Sequence, residues 1–170
     1  MEGIDFYGEV VCHCYRVSEL VERVCVELNH TELQEELKEA AMVHDVGKFY
    51  VKKGILCVKR PLTSMEKMVV DMHSMYGYSV CERLGYSKEI GQLVLLHHGI
   101  DKWFVNPADV LPSVKRSYNI LRACDIWDAL VSNRVYREAL SVGEAYKVLV
   151  NSVDLPTEIC QAIYRISDMC

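Results

Sequence analysis

No apolar run in these 170 residues approaches the roughly 20 needed to span a bilayer, so no membrane partner is expected. A basic tail and a long charge run are also missing. With a formal net charge of -5, bulk nucleic-acid binding is excluded, while a small anionic ligand held by a local basic cluster is not. The first residues, Met1 to Asp5, are acidic and carry no signal-peptide pattern, which points to a cytoplasmic setting. The eight cysteines form no Cys-x-x-Cys pair and are scattered through apolar runs, so reduced core thiols are expected. Cys12 and Cys14 flank His13, but residues i and i+2 of a helix face apart, so they are rejected as joint metal ligands. There is no repeat, low-complexity segment or linker. What remains is a chain 51% hydrophobic, long enough for one domain (1–170) with a real core.

The apolar pattern is helical nearly throughout, which predicts an all-α fold. Val17, Leu20, Val21, Val24 and Leu28 mark a helix over Val10 to Leu28. Thr31 reads as the start of the next, which runs to about His44. Gly47 to Pro61 reads as a loop with a short extended piece at Val51 or at Ile55 to Val58. Thr63 and Glu66 form a capping box opening a helix through His73 and Gly77 to Leu84, closed by Gly85. Ser87 starts a helix ending at His97-His98, and an irregular loop spans Gly99 to Pro112. A long helix covers Ser113 to Val131. Ser141 and Glu144 open a helix to about Val150, and Pro156-Thr157 opens the last.

The chemistry concentrates at His44-Asp45. Neighbouring helical residues normally point apart, so an adjacent imidazole and carboxylate meet only by closing on a shared object, usually a metal ion. Of six histidines, His13, His44, His73, His97 and His98 lie at helix ends or on otherwise apolar faces. One histidine in such a place is ordinarily a satisfied core residue. Five beside Asp45 and Asp125 are not, because burying them without partners is costly and coordination supplies the partners. Asp125 itself is a charge inside an apolar helix.

These residues, in this order, resemble the HD superfamily of metal-dependent phosphohydrolases, and specifically its HD-GYP branch, which cleaves cyclic dinucleotides. The match rests on His13, His44-Asp45-Val46-Gly47-Lys48, His73 with Gly77, His97-His98, Asp125 to Leu130, Arg134 to Arg137, and Ala139-Leu140-Ser141, and covers roughly Glu9 to Ala145. The resemblance implies a bundle of about six to eight helices around a metal site. It implies one metal on His13, His44, Asp45 and Asp125, with Asp45 bridging to a second on His73, His97 and His98. Glu9, four residues before His13, would join a third. Iron or manganese suits mixed imidazole and carboxylate ligands best, with zinc or nickel as alternatives. Metals lower the pKa of bound water, so Asp45 becomes catalytic through the hydroxide that its two metals share. Lys48 would contact phosphate, its alternative being a cation at a helix C-terminus. Arg134 and Arg137 would contact the ligand's phosphate or base. Asp128 reads as structural, a cap or salt-bridge partner.

The branch's namesake loop departs from the pattern. After His97-His98 stands Gly99 where an acid is expected, and no Gly-Tyr-Pro follows. Asp101 reads as a remnant, and Trp103 and Phe104 as loop anchors or base-stacking groups. The resemblance therefore implies a phosphodiesterase acting on a cyclic dinucleotide such as cyclic di-GMP. The other readings are hydrolysis of another nucleotide or phosphate ester, a metal-binding regulatory module without turnover, and a di-iron oxygenase. Lys48, Arg134 and Arg137 speak against the last. No sensor domain is read in the chain, so regulation would come from a separate protein partner.

Overall fold

The computed structural model describes residues 6–100, 105–133, 138–152 and 154–168. Every regular element among them is helical, as the 3.6-residue periodicity predicts. The chain runs through α1 (Phe6–Glu27), α2 (Gln34–Val43), the single-turn α3 (Lys53–Leu56), α4 (Ser64–Asp71), α5 (His73–Leu84), α6 (Lys88–Leu96), α7 (Pro112–Val131), α8 (Val142–Ser152) and α9 (Thr157–Asp168). Short 3-10 turns occupy Val46–Tyr50 and Pro107–Asp109. None of the described helices is long and apolar enough to cross a membrane.

Long α1 lies against α2, α7 and α9, while α6 packs on α2, α5 and α7. Val17, Val21, Leu37, Leu93, Leu121 and Ile163 meet in the centre with no exposed surface. Each such aliphatic side chain contributes about 1.5–3 kcal/mol relative to exposure. The described cysteines are all free thiols; Cys12 is exposed while Cys14 is buried, as their spacing requires.

Several helix ends sit where their side chains place them. Thr63 and Glu66 complete both halves of the capping box on α4, and Ser87 Oγ accepts from the Ile90 amide at the start of α6. Ser141 and Glu144 make the same reciprocal contacts before α8. Gly85 closes α5 at φ 79°, a left-handed conformation that favours glycine.

Three expectations are corrected. Thr31 does not open α2; the helix starts at Gln34, behind Leu33 in the left-handed region at φ 56°. The intervening turn is tied to α7 instead, by Glu32 to Arg116 and by His30 Nε2 to Ser117 Oγ at 3.0 Å. No extended piece forms between Val51 and Val58, because the 3-10 turn and α3 satisfy their backbone groups locally, through Val51 N to Lys48 O and Cys57 N to Lys53 O. The helix predicted from Thr63 to Leu84 is interrupted at Met72, which separates α4 from α5. That interruption places His73 at a helix end.

Candidate metal centre

Three of the histidines repeat one local device. His44 follows the last residue of α2, His97 the last of α6, and His73 lies just beyond α4. The final carbonyls of a helix lack intrahelical partners. Each imidazole folds back to satisfy one: His44 Nδ1 to Ala41 O at 2.7 Å, His73 Nδ1 to Val70 O at 2.6 Å, and His97 Nδ1 to Val94 O at 2.6 Å. A carbonyl only accepts, so Nδ1 carries the proton and the Nε2 lone pair points inward. His13, in the middle of α1, reaches the same state differently, with Nδ1 at 2.7 Å from Asp128 Oδ2 on α7.

These four Nε2 atoms and that of His98 converge with two carboxylates. His44 Nε2 lies 3.2 Å from His13 Nε2, which is 3.0 Å from Asp125 Oδ1. His73 Nε2 lies 3.2 Å from both His97 Nε2 and His98 Nε2. Asp45 stands between the groups: Oδ2 is 3.6 Å from His13 Nε2 and 3.7 Å from His44 Nε2, while Oδ1 is 3.2 Å from His73 Nε2. Two groups of ligand atoms, His13–His44–Asp45 and His73–His97–His98, are each compact enough to hold one ion. A third, His44–His97–Asp125, connects them.

Gly47 allows this approach. A Cβ at Gly47 would stand 1.9 Å from the His73 carbonyl oxygen, so only glycine lets the turn after Asp45 press onto α5. The turn and α5 are packed face to face along this contact. Gly77 faces the same seam, and its added Cβ would meet Val94 at 2.8 Å.

The electrostatics differ across the centre. Burial opposes a charge on His44, yet Asp45 and Asp125 outweigh it and raise its pKa well above the ordinary value. Burial also opposes charge on Asp45 and Asp125, but Lys48 and the histidines hold Asp45 well below the usual carboxylate range, and His13 and His44 do the same for Asp125. His97 goes the other way: burial and then His98, His44 and His73 depress it, leaving a neutral imidazole. Thus carboxylates favour a charged His44, while burial and neighbouring imidazoles keep His97 neutral. Lone pairs facing each other at 3.2 Å repel unless a cation or proton lies between them. The imidazole and carboxylate donors therefore fit divalent metal.

A cleft of about 640 Å3 opens onto the centre, lined by His13, Asp45 and Lys48 together with Glu9, Arg16 and Arg60. Lys48 Nζ donates directly to Asp45 Oδ2. Glu9 is exposed on the cleft wall and belongs to none of the compact ligand groups among the described residues. Arg134, Arg137, Asp101, Trp103 and Phe104 lie outside the described residues. Asp128 is a salt-bridge partner, as expected, and also more: besides orienting His13 it accepts from Arg16 Nε at 2.7 Å and Nη2 at 2.9 Å. Burial raises its pKa, but His13 and Arg16 prevail and bring it down to about 2. The sequence reading missed Arg16 and Arg60. Arg16 had a signal, standing three residues after His13 on the same face of α1.

The chain is similar to proteins of known family and fold. Residues 10–132 match the family model described as HD domain. A 3'3'-cGAMP-specific phosphodiesterase 1 of Vibrio cholerae is 28% identical, covering 90% of this chain and 37% of the relative. A cyclic di-GMP phosphodiesterase of V. cholerae is 32% identical over 67% of this chain and 25% of its own length. One of Thermotoga maritima is 28% identical over 79% and 38%. The chain thus spans well under half the length of these curated relatives. Among solved structures, the HD domain of the L. monocytogenes phosphodiesterase PgpH shares the fold at TM-score 0.67 and 12% identity, with 95% and 93% of the chains covered. The same domain in complex with cyclic-di-AMP aligns at TM-score 0.66 and 14% identity, covering 95% and 92%.

Proposed function

The chain belongs to the HD domain family, and on that footing we propose that it is a metal-dependent phosphodiesterase hydrolysing a cyclic dinucleotide, such as cyclic di-GMP or 3'3'-cGAMP. The observation carrying the proposal is Asp45, whose two oxygens face two separate histidine groups at the floor of a cleft. When bound there, a pair of divalent cations supplies an activated water and offsets charge building on the phosphate. The ligands would be His13, His44, Asp45 and Asp125 on one side, and Asp45, His73, His97 and His98 on the other. Iron or manganese suits this donor set best. Glu9, on the cleft wall four residues before His13, is the candidate for a third ion.

The chain's own residues do the remaining work. The carbonyls of Ala41, Val70 and Val94 and the carboxylate of Asp128 hold four of the five imidazoles with Nε2 inward, so these four need not reorient. Lys48 lines the cleft beside Asp45 and donates to a phosphate oxygen of the substrate. Arg134 and Arg137 complete the reading as further phosphate or base contacts. The cleft volume lies within the range of small-ligand sites.

The test is turnover of cyclic di-GMP, cyclic di-AMP, 3'3'-cGAMP and a generic phosphodiester by protein loaded with manganese or iron. Release of a linear dinucleotide or mononucleotides is expected. A fully metallated chain that hydrolyses none of them contradicts the proposal.

A further inference from the structure

The cleft presents two guanidinium groups that neither the metal centre nor Lys48 accounts for. Arg16 and Arg60 both line it. Each is held along one edge by a carboxylate that something else fixes. Arg16 gives Nε and Nη2 to Asp128, whose carboxylate is also anchored by His13 Nδ1. Arg60 gives Nη1 and Nη2 to Glu66 at 2.7 and 2.8 Å, and Nη1 also to Pro61 O at 3.0 Å, which leaves Nε and one N–H of Nη2 for a further acceptor. Glu66 is in turn fixed by the capping box of α4, accepting from the Thr63 amide at 2.8 Å and its hydroxyl at 2.9 Å. The Arg60 contacts and then those of Thr63 bring the Glu66 pKa down to about 2, so this anchor stays ionised.

A guanidinium has more N–H donors than one carboxylate uses. A side chain locked on one edge keeps donors for a second anion and has already lost the rotamer freedom that binding would otherwise remove. Two such groups in one cleft with a dinuclear centre suit a substrate that carries two phosphodiesters, one at the reacting position and one elsewhere.

We infer that Arg16 and Arg60 bind the non-reacting phosphate of a cyclic dinucleotide and so select substrates with two phosphodiesters over those with one. This rests on the hydrolase reading above. It assigns Arg16 and Arg60 a substrate-binding role; Glu66 is a positioning residue acting through Arg60, and Asp128 positions both Arg16 and His13.

The experiment compares wild type, Arg60→Ala, Arg60→Lys and Arg16→Lys, all metal-loaded, on the cyclic dinucleotide that the wild type turns over best and on bis(p-nitrophenyl) phosphate, which has a single phosphodiester. Loss of one charge-assisted phosphate contact should raise KM for the cyclic dinucleotide about tenfold or more in Arg60→Ala. The value for bis(p-nitrophenyl) phosphate should stay within twofold, by the same reasoning that it lacks the second phosphate. Arg60→Lys should recover part of the loss, because lysine keeps the charge without the fork. Arg16→Lys should follow the same split, with metal content measured alongside because Asp128 also holds His13. Calorimetric titration of the metal-free chain with cyclic di-GMP gives a readout independent of turnover, and Arg60→Ala should weaken that binding by about the same factor. Equal loss on both substrates, or unchanged calorimetric affinity, overturns the inference while leaving the hydrolase reading intact. A metallated wild type that hydrolyses neither substrate overturns the hydrolase reading and this inference with it.

Discussion

The half of the centre built from His13, His44 and Asp125 mixes imidazole with carboxylate and opens onto the cleft through His13. The half built from His73, His97 and His98 is imidazole only, and none of its members lines that cleft. Burial acts on both, yet with opposite results. Carboxylates raise the pKa of His44, while neighbouring imidazoles depress that of His97. The carboxylate-bearing half thus favours a positive charge at His44, while His97 in the other half is held neutral. The two groups of side chains differ in whether carboxylates stand beside the imidazoles.

The largest test of that division removes what the halves share. On the proposed reading, Asp45→Ala should lower hydrolysis about a thousandfold or more, since both ions would lose a ligand and the activated water its position. Kinetics with metal analysis of the purified variant check this, and retained metal content refutes the shared role. His97→Gln asks whether the halves separate: it should lose the equivalent of one ion and keep the other, as elemental analysis against wild type would show. Simultaneous loss of both ions would mean that the halves bind as one unit.

Gly47→Ala strikes the seam rather than a ligand. A methyl 1.9 Å from a backbone oxygen forces the turn away from α5, for an expected loss of about 3 kcal/mol. For a domain of this size that corresponds to a Tm drop of roughly 6–12 °C in a thermal melt. Gly77→Ala crowds the Val94 side chain at 2.8 Å but meets backbone only at 3.6 Å and beyond, and should cost less.

Much of the centre was legible in sequence because its device is local. A histidine at a helix end can bond the carbonyl three residues back, and His44 and His97 sit at predicted ends. His73 was found as a ligand candidate but within a longer helix; the break at Met72 has no proline or glycine to mark it. Asp128 was read as a salt-bridge partner, which it is, but its hold on His13 spans 115 positions and only packing of α1 on α7 reveals it. Arg60 was missed for a similar reason. Its partner Glu66 was already explained by the capping box, and nothing in the sequence indicates that one carboxylate serves both. Thr31 misled because a good capping residue yields when Glu32 is drawn to Arg116 on another helix.

Smaller effects sharpen the contrast further. Asp128→Asn should weaken metal at the His13 half alone by about 10–100-fold, the usual consequence of losing a ligand's orienting partner. A competition titration with a chelator measures it, and an equal change at the His73 half would argue against the division. The smallest effect should fall on both halves alike. Cys25 on α1 and Cys81 on α5 are buried, and burial pushes each thiol up to about 11 from an ordinary 9.0. The folded state therefore favours the protonated thiols. Their contribution is fully present below pH 9.0 and is lost as pH rises through about 11. Thermal melts across that interval should show a gradual fall in Tm, and Cys25→Ala with Cys81→Ala should flatten it.

The central claim is that Asp45 joins two metal ions, and electron paramagnetic resonance of the manganese-loaded chain, with elemental analysis of the same sample, tests it most directly. The account predicts a magnetically coupled manganese pair in wild type, and its disappearance in Asp45→Ala. A spectrum of isolated manganese ions from a fully loaded wild-type chain, or coupling that survives in Asp45→Ala, would contradict it.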